Sequence, residues 1–124
     1  MASNKNIRLG PVALTTTLTT NIFNPPTLTG GTGVPANSTN TFYILRHIRV
    51  VNKTAGAATL TLYIGATGGN VAGTEFLGLG LSVAANSYND WYGVLRLDTS
   101  DFVVGGSGTA TALTIDAEGE IGVN

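Results

Sequence analysis

From Thr41 to the end of the chain, apolar and polar residues alternate with period two in short runs, and no stretch between them repeats with the helical period. The runs are TFYILRHIRVVN, TLTLYIG, NDWYGVLRL, DFVVGG and ALTIDAEGEIGV, set apart by Gly, Asn, Ser and Asp. Successive side chains of a strand point to opposite faces, so this period defines half-buried strands joined by turns. With the segment around residues 12–23, the count comes to about eight short strands, the pattern of an antiparallel β-sandwich or jelly-roll-like fold.

Residues 41–53 carry the strongest pattern. Phe42, Ile44, Ile48 and Val50 share one parity; Tyr43, Leu45 and Val51 share the other. Arg46 interrupts the first set, and His47 and Arg49 the second, which predicts a bulge or corner near Arg46. Apolar residues on both faces predict a central strand, or one covered by another subunit. Leu60, Leu62 and Ile64 then alternate with Thr59, Thr61 and Tyr63, and the short Gly-containing turn between the two runs predicts a hairpin. EFLGLGLSV, with two Gly, reads as one irregular or edge strand. Further on, Trp91, Leu95 and Leu97 oppose Tyr92, Val94 and Arg96, and Leu113, Ile115, Ala117 and Ile121 oppose Thr114, Asp116, Glu118 and Glu120. The glycine clusters at 30–33, 65–69 and 105–108 fit no nucleotide-binding loop and read as turns.

The first 40 residues are less regular. Residues 1–10 are polar apart from Ile7 and Leu9 and read as an extended N-terminal arm. VALTTTLTTNIF reads as one strand, broken by Thr16 and Thr20. Residues 24–40 are rich in Pro and Gly and uncharged, too long for an ordinary connection, and read as a contact loop or surface excursion. The expected organisation is one domain, with arm, first strand and loop over residues 1–40 and the sandwich core over 41–124.

Composition bears on function mainly by exclusion. Only 10% of the 124 residues are charged, against about 25% in an average soluble domain, so Thr, Ser, Asn and Gly, or a partner, must cover much of the outside. No cysteine is present, which removes disulfides, thiolate metal sites and a cysteine nucleophile. The net charge of −1 hides a segregation. Lys5, Arg8, Arg46, Arg49 and Lys53 precede every acidic residue, while Glu75, Asp90, Asp98, Asp101, Asp116, Glu118 and Glu120 follow with Arg96 as the one later base. Two arrangements fit: cross-strand pairing inside one sheet, or unlike faces suited to docking. So balanced a total does not suit a dedicated nucleic-acid binder, and no apolar run reaches the roughly 20 residues of a membrane-spanning helix. MASNKNIRLG lacks the apolar core of a secretory signal, so synthesis in the cytoplasm is expected.

No catalytic set assembles. His47 is the sole histidine, no G-x-S-x-G accompanies it, and the nearby Arg46 and Arg49 are expected to disfavour its protonated form. A structural or interface role follows. Asp116, Glu118 and Glu120 share a strand face without calcium-loop or glycosidase spacing, which predicts a solvated face or pairing with Arg46, Arg49 or Lys53 across an interface. Trp91 is expected in the core, and Tyr88, in a turn, to be exposed for contact. The candidate interface is therefore Lys5, Arg8, Arg46, His47, Arg49, Lys53, Tyr88, Asp116, Glu118 and Glu120. No catalytic residue, metal site or cofactor is expected.

One ordered series adds to this reading. YILRHIRVVN is followed by TLTLYIG, then AGTEFL, then SVAANSYNDWYGVLRL, and last by DTSDFVVGGSGTATALTIDAEGE. In order and spacing, over about two-thirds of the chain, it resembles small β-sandwich virion proteins of tailed bacteriophages. The resemblance implies a non-enzymatic capsid decoration or cement protein, located in the virion, with the major capsid protein or other virion proteins as partners. It also implies a homo-oligomer, with a trimer favoured. A neck, tail or fibre component fits the same resemblance. A glycan-binding module using Tyr88, Trp91 or Tyr92 is the rival from another class.

Overall fold

The computed structural model describes residues 5–25 and 41–123. Within them lie eight strands: β1 (Lys5–Ala13), β2 (Asn21–Phe23), β3 (Thr41–Asn52), β4 (Ala58–Gly65), β5 (Glu75–Val83), β6 (Ser87–Leu97), β7 (Phe102–Ser107) and β8 (Leu113–Val123). They form two four-stranded sheets with the orders β1-β8-β3-β6 and β2-β7-β4-β5. Every pairing is antiparallel. Only β4 and β5 are consecutive strands of one sheet; every other connection crosses from sheet to sheet. That alternation is the eight-stranded jelly-roll arrangement of a β-sandwich.

The core is the space between the sheets. Leu45, Ile48 and Val50 of β3 and Leu113, Ile115 and Ala117 of β8 enter it from the first sheet. Leu60 and Leu62 of β4 and Val103 of β7 enter from the second. Burying each such side chain contributes about 1.5–3 kcal/mol, and the strict alternation along β4 and β8 puts the whole set on the inner side. Trp91 packs partly buried against this core, edge-on to Phe76 at 5.2 Å, as its parity predicts.

Four expectations change. Residues 5–10 are not an arm: they are most of β1, the edge strand of the first sheet, where Ile7 and Leu9 lie opposite Gly119 and Ala117. VALTTTLTTNIF is not one strand. Its start closes β1, Thr15–Thr20 turns, with the Thr20 hydroxyl donating to Thr17 O at 2.7 Å, and β2 follows in the other sheet. The turn after β3 is not a hairpin but a corner between sheets. Asn52, 1% exposed, holds it: its amide donates to Gly56 O and Val83 O, and its carbonyl accepts from Thr54 N and Oγ1. Finally, Gly105 and Gly106 are strand residues, not a turn. A Cβ on Gly105 would lie 2.0 Å from Thr61 O and one on Gly106 2.4 Å from Thr15 O, so glycine lets β4 and the Thr15–Thr20 turn close on β7. The glycines at 30–33 and nearly all of the 24–40 loop lie outside the described residues.

The predicted irregular edge strand is present as β5, with Leu77 and Gly80 at φ 64° and 67°. The predicted central strand is β3, between β8 and β6, and it bulges between Leu45 and His47.

Candidate functional site

The bulge at Arg46 creates the most concentrated chemistry among the described residues. Before it, Leu45 points into the core; after it, Ile48 does. The extra residue lets Arg46 and His47 both turn outward, where each meets an acidic side chain of β8. Arg46 bonds Glu120 through Nε at 2.7 Å and Nη2 at 2.6 Å. His47 reaches strands on both sides. Its Nε2 lies 2.8 Å from Asp90 Oδ1 on β6, and its Nδ1 lies 3.1 Å from Glu118 Oε1 on β8. Arg49, two residues on, holds Asp90 through both oxygens, Nε to Oδ1 at 2.7 Å and Nη2 to Oδ2 at 3.1 Å.

Aromatic rings cap this network. Tyr92 stacks on His47 with centroids 4.6 Å apart and planes 9° from parallel, and the Arg49 guanidinium lies 4.5 Å above the Tyr88 ring. On the same strand, Arg96 covers Phe42 at 4.2 Å and bonds Asp98. The outward sides of Tyr92, Val94 and Tyr88 are 70%, 69% and 54% exposed. Between β3 and β8 lies an open depression of about 300 Å³, lined by His47, Arg49, Asp116, Ala117 and Glu118. Asp116, one of the lining residues, has its Oδ1 buried without a hydrogen-bond partner.

Electrostatics follow from these contacts. A neutral imidazole has one N–H, yet both His47 nitrogens face carboxylate oxygens. Its pKa is raised, chiefly by the hydrogen bond to Asp90, with desolvation opposing and Glu118 adding to the rise. The expected suppression of the imidazolium by Arg46 and Arg49 is therefore overturned: both guanidinium groups are turned to carboxylates, and carboxylates are what the ring meets. Asp90 is held down to about 2, first by Arg49 and then by His47.

The predicted interface residues fall into two groups. Arg46, His47, Arg49, Tyr88, Asp116, Glu118 and Glu120 come together on this outer face. Arg8, on β1, lies opposite Glu118 and extends the face, whereas Lys5, opposite Ile121, has the other parity of β1. Lys53 lies past the end of β3, its backbone N–H bound to Ala112 O, and does not join the cluster. The charge segregation resolves as interleaving: basic β1 and β3 flank acidic β8, so Arg46 and His47 meet Glu120 and Glu118 within the chain rather than across an interface. Asp90 is not in the predicted set, although it ties β6 to β3 through both His47 and Arg49. Its signal was its parity, shared with Tyr88 and Tyr92.

No family model matches this chain, and no curated protein matches it. Among solved structures, it is similar to a chain in the structure of infectious bursal disease virus Gt strain, with 9% identity and a TM-score of 0.32. The match covers 98% of this chain and 28% of that one, so this chain spans under a third of its length. At that level the likeness identifies no function.

Proposed function

We propose that this chain is a non-enzymatic virion structural protein, a capsid decoration or cement protein of the tailed-bacteriophage kind, that binds an assembled head lattice and stabilises it. The observation that carries the reading is the outer face of the first sheet. Its charges are largely satisfied inside the chain, and what it leaves for a partner is a rim of exposed Tyr88, Tyr92, Val94 and Val51 on β6 and β3. A surface of Tyr and aliphatic side chains around a neutralised polar centre suits protein docking better than capture of a charged polymer. The ordered resemblance of residues 41–122 to small virion proteins points the same way. A jelly roll by itself does not, since that fold also serves lectins and cupins.

A non-catalytic role is supported by His47: in the protonated form that its two carboxylates favour, it has no lone pair to activate a nucleophile. The partners in this reading are the major capsid protein and further copies of this chain, in a closed symmetric oligomer such as a trimer. The glycan reading loses one of its three rings, because Trp91 is turned against Phe76.

The test is copy number in purified virions, by quantitative protein staining against the major capsid protein. A number that scales with the capsid lattice supports decoration. A small fixed number assigns the chain to the neck, tail or fibre. Absence from the particle overturns the virion reading.

A further inference from the structure

We propose that the outer face of the first sheet carries a proton-operated clasp, in which the His47 imidazolium holds carboxylates on both neighbouring strands and releases Glu118 when it loses its proton. This inference is independent of the virion reading. Its basis is the bridging geometry: one ring on central strand β3 contacts Asp90 on β6 at 2.8 Å and Glu118 on β8 at 3.1 Å. Both contacts can be donated only by the protonated ring. On deprotonation the proton passes to water, one N–H remains, and the other nitrogen presents a lone pair to a carboxylate oxygen.

The two partners are not equivalent. Asp90 is fixed by two bonds from Arg49 and its side chain is 17% exposed, whereas the Glu118 side chain is 63% exposed and can swing into water. Glu118 is therefore the contact that opens. Its departure frees the rim of the depression between β3 and β8, and the proton lost from His47 leaves the face one charge more negative.

The surrounding groups favour the closed form at low pH. From β6 the ring meets Asp90 and Tyr92, with Tyr88 nearby over Arg49; from β8, Glu118, with Asp116 and Glu120 on either side. From β3 come Arg46 and Arg49, each turned to a carboxylate, and from β1 Arg8, opposite Glu118, with Lys5 further along. The folded chain thus binds the His47 proton more tightly than the unfolded chain does. The stabilisation is complete below the ordinary value of 6.5 and is lost as pH rises through the higher folded value. With one histidine and no cysteine, no other side chain has an ordinary pKa in this range.

The experiment is an NMR titration of the His47 ring, with Glu118→Gln and Asp90→Asn as variants. The expected result is a ring protonated at both nitrogens at about pH 6, a midpoint above the ordinary histidine value, and a lower midpoint in both variants. A single neutral tautomer at that pH, or a midpoint unmoved by both substitutions, overturns the clasp. In parallel, the thermal midpoint of the unsubstituted chain should fall by a few degrees between about pH 5.5 and about pH 8.5, and His47→Gln should abolish the fall. An equal fall in His47→Gln would assign the pH dependence elsewhere and also overturn the proposal.

Discussion

Replacing Gly119 with alanine tests how β3 and β8 are held together at the bulge. Gly119 pairs with Leu45, the residue just before Arg46. A Cβ there would lie 1.9 Å from Ile44 O and 2.8 Å from Leu45 Cα. Both are backbone atoms, so no side chain can rotate away, and the strands must part by about 1.5 Å to reach ordinary contact. Parting them weakens one or two ladder hydrogen bonds, each worth about 0.5–1.5 kcal/mol, and adds overpacking strain of about 1–3 kcal/mol. Alanine returns about 0.4–1 kcal/mol by restricting the unfolded chain. The net expectation is a loss of about 3 kcal/mol, or about 10 °C in thermal midpoint for a domain this size. Urea unfolding followed by Trp91 fluorescence measures it, with Gly56→Ala as the control. No atom lies within 4 Å of a Cβ at Gly56, and that variant should stay within about 0.5 kcal/mol of the parent. A loss below about 1 kcal/mol in Gly119→Ala, at an unchanged denaturant slope, would refute the close approach. The same variant should lower the His47 titration midpoint, because the strands it separates carry His47 and Glu118.

Two further outcomes follow from the polar contacts. Asp90 titrates at about 2 in the folded chain against an ordinary 3.8, so its stabilising contribution is present above 3.8 and is lost as pH falls toward 2. Acid unfolding of Asp90→Asn should lack that limb, and an acid profile identical to the parent's would count against the Arg49–Asp90–His47 arrangement. Asn52→Ala removes four hydrogen bonds from a buried corner and leaves Val83 O without its amide donor. A loss of about 3 kcal/mol in urea unfolding is expected, and a change below about 1 kcal/mol would mean that Asn52 does not hold the crossing.

The strands with one wet face were legible because burial imposes period two on them. β4, β6 and β8 read this way, and the parity break at Arg46 locates the bulge in β3. What failed was whatever depends on a neighbour distant in sequence. Lys5–Gly10 has the alternation of Ile7 and Leu9, but so short and polar a strand is identified only by its partner β8. Gly105 and Gly106 resemble turn residues because the sequence does not record that Thr61 O and Thr15 O press against them. Lys53–Ala57 has the length of a hairpin turn and serves equally as a corner between sheets. Asn52, which decides between the two, is an ordinary strand-end residue until its burial is known.

The candidate site shows the same limit in its electrostatics. The separation of basic and acidic halves is a fact of the sequence, and both paired neighbours and unlike faces were compatible with it. Jelly-roll topology decides the matter by placing the last strand, β8, between the early strands β1 and β3. Arg46 and Arg49, one before His47 and two after it, appeared set to repel a proton from it. A bulge and two strand pairings reverse the effect: each arginine is turned to a carboxylate of another strand, and the ring between them meets Asp90, shared with Arg49, and Glu118. The local sequence thus predicts the wrong sign for His47. The pH at which its proton leaves is set by Asp90 and Glu118, 43 and 71 residues away along the chain. A titration of this one ring therefore tests the topology as directly as it tests the site.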